Sequence, residues 1–163
     1  MVFSRNITSI QQLQQRVTGS VLTPDDADYE QTRLTWNRSN DHHPALILIA
    51  DDAQDIATGI KFAREAGLGV AIQLTGHGTQ IPADDSLLII TSSLTSVQVD
   101  AEARTARIEA GVIWDHVLKE ATPRGLAPLL GSSPHVGVGA AILVSSPRWS
   151  LICIPWRHSM EVI

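Results

Sequence analysis

Two short stretches of this 163-residue chain combine residue types that suit anion binding and nucleophilic chemistry. The first is Leu74-Thr75-Gly76-His77-Gly78, in which glycines flank a histidine. Glycine carries no Cβ, so its backbone can turn N–H groups toward an anion and form a nest for phosphate. The imidazole between them offers a nitrogen that could act as base, nucleophile or ligand. A turn bearing a solvated histidine has the same composition, and the local residues leave both readings open. The second stretch is Gly131-Ser132-Ser133-Pro134-His135-Val136-Gly137-Val138-Gly139. Gly131, Gly137, Gly139 and the following Ala140 lack bulk, and Ser132 and Ser133 supply hydroxyls, which together suit close approach of a pyrophosphate. An ordinary surface loop is the alternative. Gly137-Val138-Gly139 is a poor Rossmann fingerprint, because Ile142 stands where the third glycine belongs and no clear strand precedes it.

Other chemistries find little support. The six histidines are scattered, and His42-His43 has no partners at metal-ligand spacing. Asp51-Asp52 reads as a helix start and Asp84-Asp85 as a solvated turn. No serine-centred nucleophile elbow is present. The net charge of -5, with no basic run, argues against gripping a nucleic-acid backbone. The single cysteine, Cys153, excludes an internal disulfide and suits a reducing compartment. Met1 to Ser20 holds no long apolar stretch, so neither a signal peptide nor a membrane span is expected there, and the expected location is cytoplasmic. The glycosylation patterns at Asn6-Ile7-Thr8 and Asn37-Arg38-Ser39 are then read as chance.

The elements that must position these stretches follow from the hydrophobic pattern. Hydrophobic residues make up 44% of the chain and aromatics only 4%, so the core must be built mainly from Val, Ile, Leu and Ala. Ser9 is a candidate cap for a first helix with Ile10, Leu13 and Val17 on one face, broken by Thr23-Pro24-Asp25-Asp26. A polar stretch runs from Asp28 to His43 and carries Trp36-Asn37. Ala45 to Ala50 reads as a buried strand after Pro44. Asp51 or Asp52 caps a helix with Ile56, Ile60 and Ala63 as its apolar stripe, ended by Gly67. Gly69 to Gln73 is a second strand, and this strand–helix–strand order suggests a parallel pair with a crossover. A loop over 74–80 follows, then a third strand at Leu87 to Thr91. Ser96 to Ala110 alternates as a hairpin with its turn in Asp100-Ala101-Glu102-Ala103. A helix with Ile113, Val117 and Ala121 on one face ends at Pro123 and Gly125. Beyond Ala140, Pro147, Trp149, Cys153, Pro155 and Trp156 lie in a segment with neither helical nor strand period.

In this order the features resemble the FAD-binding domain of the vanillyl-alcohol oxidase/p-cresol methylhydroxylase (PCMH-type) superfamily, in its berberine-bridge-enzyme-like branch. Tyr29-Glu30 and Trp36-Asn37 are similar to its entry segment, and Pro44-Ala45-Leu46-Ile47 to its first strand. Asp55-Ile56 with Phe62-Ala63-Arg64-Glu65 is similar to its first helix, and Val70 through His77 to the strand and pyrophosphate loop. Leu88-Ile89-Ile90, the hairpin ending Ile108-Glu109-Ala110-Gly111, Trp114 in the next helix and Gly125-Leu126-Ala127 continue the match. Gly131 through Gly139 is similar to a second flavin-contacting stretch. The resemblance covers roughly residues 20 to 139.

The resemblance implies an α+β fold, with a small mixed sheet flanked by helices and FAD lying between two α+β subdomains. It implies cofactor contacts from Leu74, Thr75, Gly76, His77 and Gly78, and from Gly131, Ser132, Ser133, Val136, Gly137, Val138 and Gly139. His77 matches the histidine that many members bond to the flavin 8α-methyl carbon, a reaction needing a neutral imidazole nitrogen as nucleophile. The sequence departs from the family at Gln73-Leu74-Thr75, where an arginine and further glycines are usual. It departs again at Ser133, where doubly linked members carry a cysteine. The expected divisions are an entry segment over 1–40, the flavin domain over 41–139 and a divergent or out-of-frame tail over 140–163, loosely packed. No substrate domain or catalytic base is expected in these residues. The implied function is FAD binding within an oxidoreductase that takes hydride from a small-molecule substrate, without turnover by this chain alone. An inert fragment and a nicotinamide-binding domain are the alternatives.

Overall fold

The computed structural model describes residues 7–77, 81–128, 133–139 and 151–155, in two compact units, Met1–Ser93 and Leu94–Ile163.

The first unit is built around the apolar run after Pro44. Its order is α1 (Ile7–Gln14), β1 (Ser20–Leu22), α2 (Tyr29–Arg33), β2 (Leu46–Ile49), α3 (Ala53–Ala66), β3 (Gly69–Gln73) and β4 (Ser86–Ile90). The sheet order is β1-β2-β4-β3, with β1 antiparallel to β2 and the other three strands parallel. Leu46, Leu48, Leu87 and Ile89 face one side with Ile10 and Leu13 of α1 and Ala63 of α3. Ile47, Leu88 and Ile90 face the other, with Tyr29 and Ala83. Parallel strands covered on both faces need continuous apolar runs, and that is why β2 and β4 do not alternate.

Helix α3 starts and stops where its residues dictate. The Asp52 carboxylate accepts the Asp55 N–H at 2.8 Å, and Gly67 closes the helix at φ 69°. The buried face differs from the expected stripe: Asp55, Gly59 and Ala63 are inside, whereas Ile60 is 45% exposed. Gly59 faces the sheet because a Cβ there would meet Leu48 Cδ2 at 2.6 Å. Asp55 is inside because it is satisfied. Its carboxylate accepts the backbone N–H groups of Thr18 at 2.8 Å, Gly19 at 2.9 Å and Asp51 at 3.0 Å. Burial pushes its pKa up, but the N–H groups of Asp51, Thr18, Gly19 and Asp52 outweigh that and hold the carboxyl below its ordinary value.

Several expectations change here. Ser9 lies inside α1 rather than capping it. The crossover does make β2 and β3 parallel, but β4 inserts between them, so they are not neighbours. The polar stretch from Asp28 holds α2, whose Arg33 is buried by charge pairing rather than by apolar period. Its guanidinium donates to Glu30 at 2.7 and 2.9 Å, to the His42 carbonyl at 3.0 Å and to Asp41. These carboxylates raise the Arg33 pKa above its ordinary value.

The second unit holds β5 (Val97–Asp100), β6 (Thr105–Ile108), α4 (Trp114–Ala121), a 3-10 turn (Thr122–Arg124), β7 (Leu126–Pro128) and β8 (Leu151–Pro155). The β5–β6 turn falls where expected: Asp100 accepts the N–H groups of Glu102 and Ala103 at 3.0 and 2.9 Å. Val112, Trp114, Val117, Ala121 and Val138 form the core. The segment expected to lack regular structure contains β8, which runs antiparallel to both β6 and β7 in the order β5-β6-β8-β7. Pro155 is tolerated because it is the last residue of the strand, opposite Leu126, where a missing N–H interrupts the ladder least. Pro147, Trp149 and Trp156 lie outside the described residues.

Candidate functional site

The loop 74–77 leaves the C-terminal end of β3, the end of a parallel sheet at which α/β folds place their ligands. It is held against the segment 34–37 by three contacts. The buried Gln73 side chain donates from Nε2 to the Leu34 carbonyl at 3.4 Å. Gly76, at φ 66°, packs so closely that a Cβ would sit 3.0 Å from Thr35 Cα and Cβ and 3.2 Å from Trp36 N. The His77 ring stacks on Trp36 with centroids 5.0 Å apart and planes 11° from parallel.

Gly76 therefore needs to be glycine for two reasons, its left-handed backbone and its close neighbour. That neighbour is this chain's own backbone rather than a ligand, which revises the reason for the residue. Leu74 and Thr75 are half-buried, and His77 is exposed. Among the described residues no hydrogen bond engages the N–H groups of Thr75, Gly76 or His77, or the His77 ring. Gln73 Oε1 is buried without a partner. Donors free at a strand end suit phosphate oxygens, and an orphaned acceptor suits a hydroxyl. FAD carries both groups, so the residues present fit it. Gly78 lies outside the described residues, as do Gly131 and Ser132.

The described part of the second stretch is largely occupied with its own unit. The Pro134 and Val136 carbonyls accept the N–H groups of Asp115 at 2.8 Å and Trp114 at 3.1 Å, capping α4. Val138 is fully buried and donates to the Val112 carbonyl at 2.9 Å. Val136 N–H reaches the Ser133 carbonyl at 3.2 Å, and Ser133 Oγ accepts the His135 N–H at 3.3 Å. Gly137 is buried and bridges Ile113, while Gly139 is half-buried, and among the described residues a Cβ there would meet the Ala110 carbonyl at 3.9 Å. Among the described residues the N–H groups of Ser133, Gly137 and Gly139 in this run lack a hydrogen bond.

Trp36 is the residue whose part in the site the sequence did not reveal. It stood out as part of a polar stretch, but nothing local says that it meets His77. A groove of about 560 Å³ between α1 and α3 is lined by Gln12, Arg16, Gln54, Lys61 and Glu65 among others, and none of the expected flavin-site residues borders it. The described residues include no cluster of three or more side chains able to hold a metal. They include no helix long and apolar enough to cross a membrane.

Known proteins resemble this chain over most of its length. The chain is 30% identical over 123 residues to (R)-6-hydroxynicotine oxidase of Paenarthrobacter nicotinovorans, a match covering 74% of this chain and 27% of that protein. It is 29% identical over 128 residues to an FAD-linked oxidoreductase of Dictyostelium discoideum, covering 78% and 28%. The chain thus spans little more than a quarter of the length of these relatives. The crystal structure of 6-hydroxy-D-nicotine oxidase from Arthrobacter nicotinovorans superposes with a TM-score of 0.68 at 29% identity, covering 74% of this chain and 27% of that one. Wild-type Phl p 4.0202, a glucose dehydrogenase, shares the fold with a TM-score of 0.70 at 17% identity, covering 81% and 30%. The model of the family described as "FAD binding domain" matches residues 44–149, running on past Gly139. With most of its length inside that match, the chain belongs to the FAD binding domain family, the PCMH-type fold of FAD-linked oxidoreductases.

Proposed function

We propose that the chain holds FAD through Leu74, Thr75, Gly76, His77 and Gly78, and through Gly131, Ser132, Ser133, Val136, Gly137, Val138 and Gly139, with His77 as the site of covalent attachment. The observation that carries this reading is an exposed imidazole, free of hydrogen bonds among the described residues, on a loop of unengaged N–H groups at the end of parallel β3. Bound FAD supplies hydride acceptance from a small-molecule substrate in the complete oxidoreductase. The residues Thr75 to His77 offer donors to its phosphates, and Gly76 fixes the path of the loop that presents His77. Substrate positioning and proton removal need groups held close to the reacting carbon, and no such set is assigned within these 163 residues. Of the tail over 140–163, the family match reaches residue 149 and β8 takes Leu151–Pro155, so the divergent or out-of-frame reading is kept for the remainder.

The test is the absorbance spectrum of the purified protein after exposure to FAD, followed by acid precipitation, with NAD as a control ligand. Flavin that pellets with the parent and not with His77→Ala supports attachment at His77. Yellow colour that still pellets with His77→Ala rejects it. An absence of any flavin uptake rejects the FAD reading. No flavin reduction by a panel of alcohols and sugars is expected from this chain alone.

A further inference from the structure

We propose that Trp36 is a positioning residue for His77: its indole clamps the imidazole plane so that the ring is presented edge-on from the loop. The inference rests on the flavin reading above and adds to it a residue from outside the β3 loop. His77 is on an exposed turn and neither of its ring nitrogens is hydrogen-bonded among the described residues. A hydrogen bond is the usual means of fixing an imidazole's orientation, and none is made among the described residues. What restrains the ring is one aromatic face, with centroids 5.0 Å apart and planes 11° from parallel. Stacking covers a face and leaves both nitrogens on the uncovered edge, the arrangement a nucleophilic nitrogen requires.

Trp36 is itself 72% exposed, so burial does not explain a tryptophan at this position. The clamp is also anchored independently of the indole. The Gly76 contacts are to Thr35 and to the Trp36 backbone, and the Gln73 amide reaches the Leu34 carbonyl. Shortening the Trp36 side chain should therefore release the ring without releasing the loop.

The full chain with Trp36→Ala, Trp36→Phe and His77→Ala tests this in two measurements. The first is the proton NMR spectrum, with the His77 ring signals assigned by their loss in His77→Ala. Parent signals should lie upfield through the indole ring current, should lose that displacement in Trp36→Ala and keep part of it in Trp36→Phe. The second is the rate at which added FAD becomes acid-stable. Trp36→Ala should slow it by about two- to tenfold, the range an aromatic pair supports, and Trp36→Phe should largely restore it. Unchanged His77 signals in Trp36→Ala overturn the clamp whatever the flavin does. Displaced signals with an unchanged attachment rate overturn the positioning role and leave the flavin reading standing. A parent that never acquires acid-stable flavin removes the attachment reading and the positioning role with it, even if the stack itself is present.

Discussion

The loop after β3 and the stretch 133–139 share a glycine-rich composition, yet their backbone N–H groups have different fates. In the first, Thr75, Gly76 and His77 keep theirs unengaged among the described residues, and the loop is held by contacts to the 34–37 segment instead. In the second, Ser133, Gly137 and Gly139 keep theirs unengaged among the described residues, but His135, Val136 and Val138 donate within the unit, and the Pro134 and Val136 carbonyls cap α4. Local composition thus marks a place where the backbone comes close to something, but not what that something is. At Gly76 it is Thr35 and Trp36. Along 133–139 it is the start of a helix.

Given this difference, substitutions in the two stretches should separate stability from cofactor affinity. Gly76→Val should have the largest effect. It forces a β-branched residue to φ 66° and drives a Cβ into backbone at 3.0 Å, at a cost of about 3 kcal/mol or more. Urea unfolding should show that loss, and FAD binding should fail with it. A midpoint equal to the parent's would break the account of the first loop.

Asp55→Asn sharpens the comparison by perturbing the first unit away from the flavin loop. Replacing a carboxylate that accepts three N–H groups should cost about 2 kcal/mol at neutral pH. Because the folded pKa is depressed, Asp55 stabilises the fold above the unfolded carboxylate pKa. That contribution is lost as pH falls through the folded value, so the parent and the variant should converge below about pH 4. A difference that persists unchanged in acid would mean that the carboxylate's charge is not what matters.

The smallest effects belong to the second stretch. Gly137→Val should weaken FAD binding by about tenfold, about 1.4 kcal/mol, with urea unfolding of the same variant separating any loss of stability at this buried position. Gly139→Ala should change stability by no more than about 0.5 kcal/mol, since among the described residues a Cβ there meets the Ala110 carbonyl alone, at 3.9 Å. Equal affinity in Gly137→Val and the parent, by fluorescence titration of FAD, would remove the second stretch from the site.

The elements readable in the sequence are those whose cause is local. The Leu46–Ile49 run, the Asp52 cap, the Gly67 stop and the Asp100 turn each owe their form to residues within a few positions. Strands β1 and β7 escape notice because three residues are too few to show a period. Helix α2 escapes because Arg33 is buried by ion pairs and carbonyls, which no hydrophobic pattern announces. Strand β8 was hidden by its two flanking prolines, although only Pro155 falls inside it and at its last position. In the proposed site, His77 and Gly76 stand out from composition and order alone. Their partner Trp36 does not, because the contact is made by the fold and not by the neighbouring residues.

The Asp55 carboxylate ties the turn between α1 and β1 to the loop after β2, through amides far apart in the chain. Breaking it frees all three N–H groups together, so Thr18, Gly19 and Asp51 should exchange their protons with solvent as one cooperative unit. The opening that exposes them also detaches the first turn of α3 from the chain it caps. The N-terminal helix and the crossover helix would then share one opening free energy, although their helical segments are separated by a strand, a second helix and the first parallel strand of the sheet.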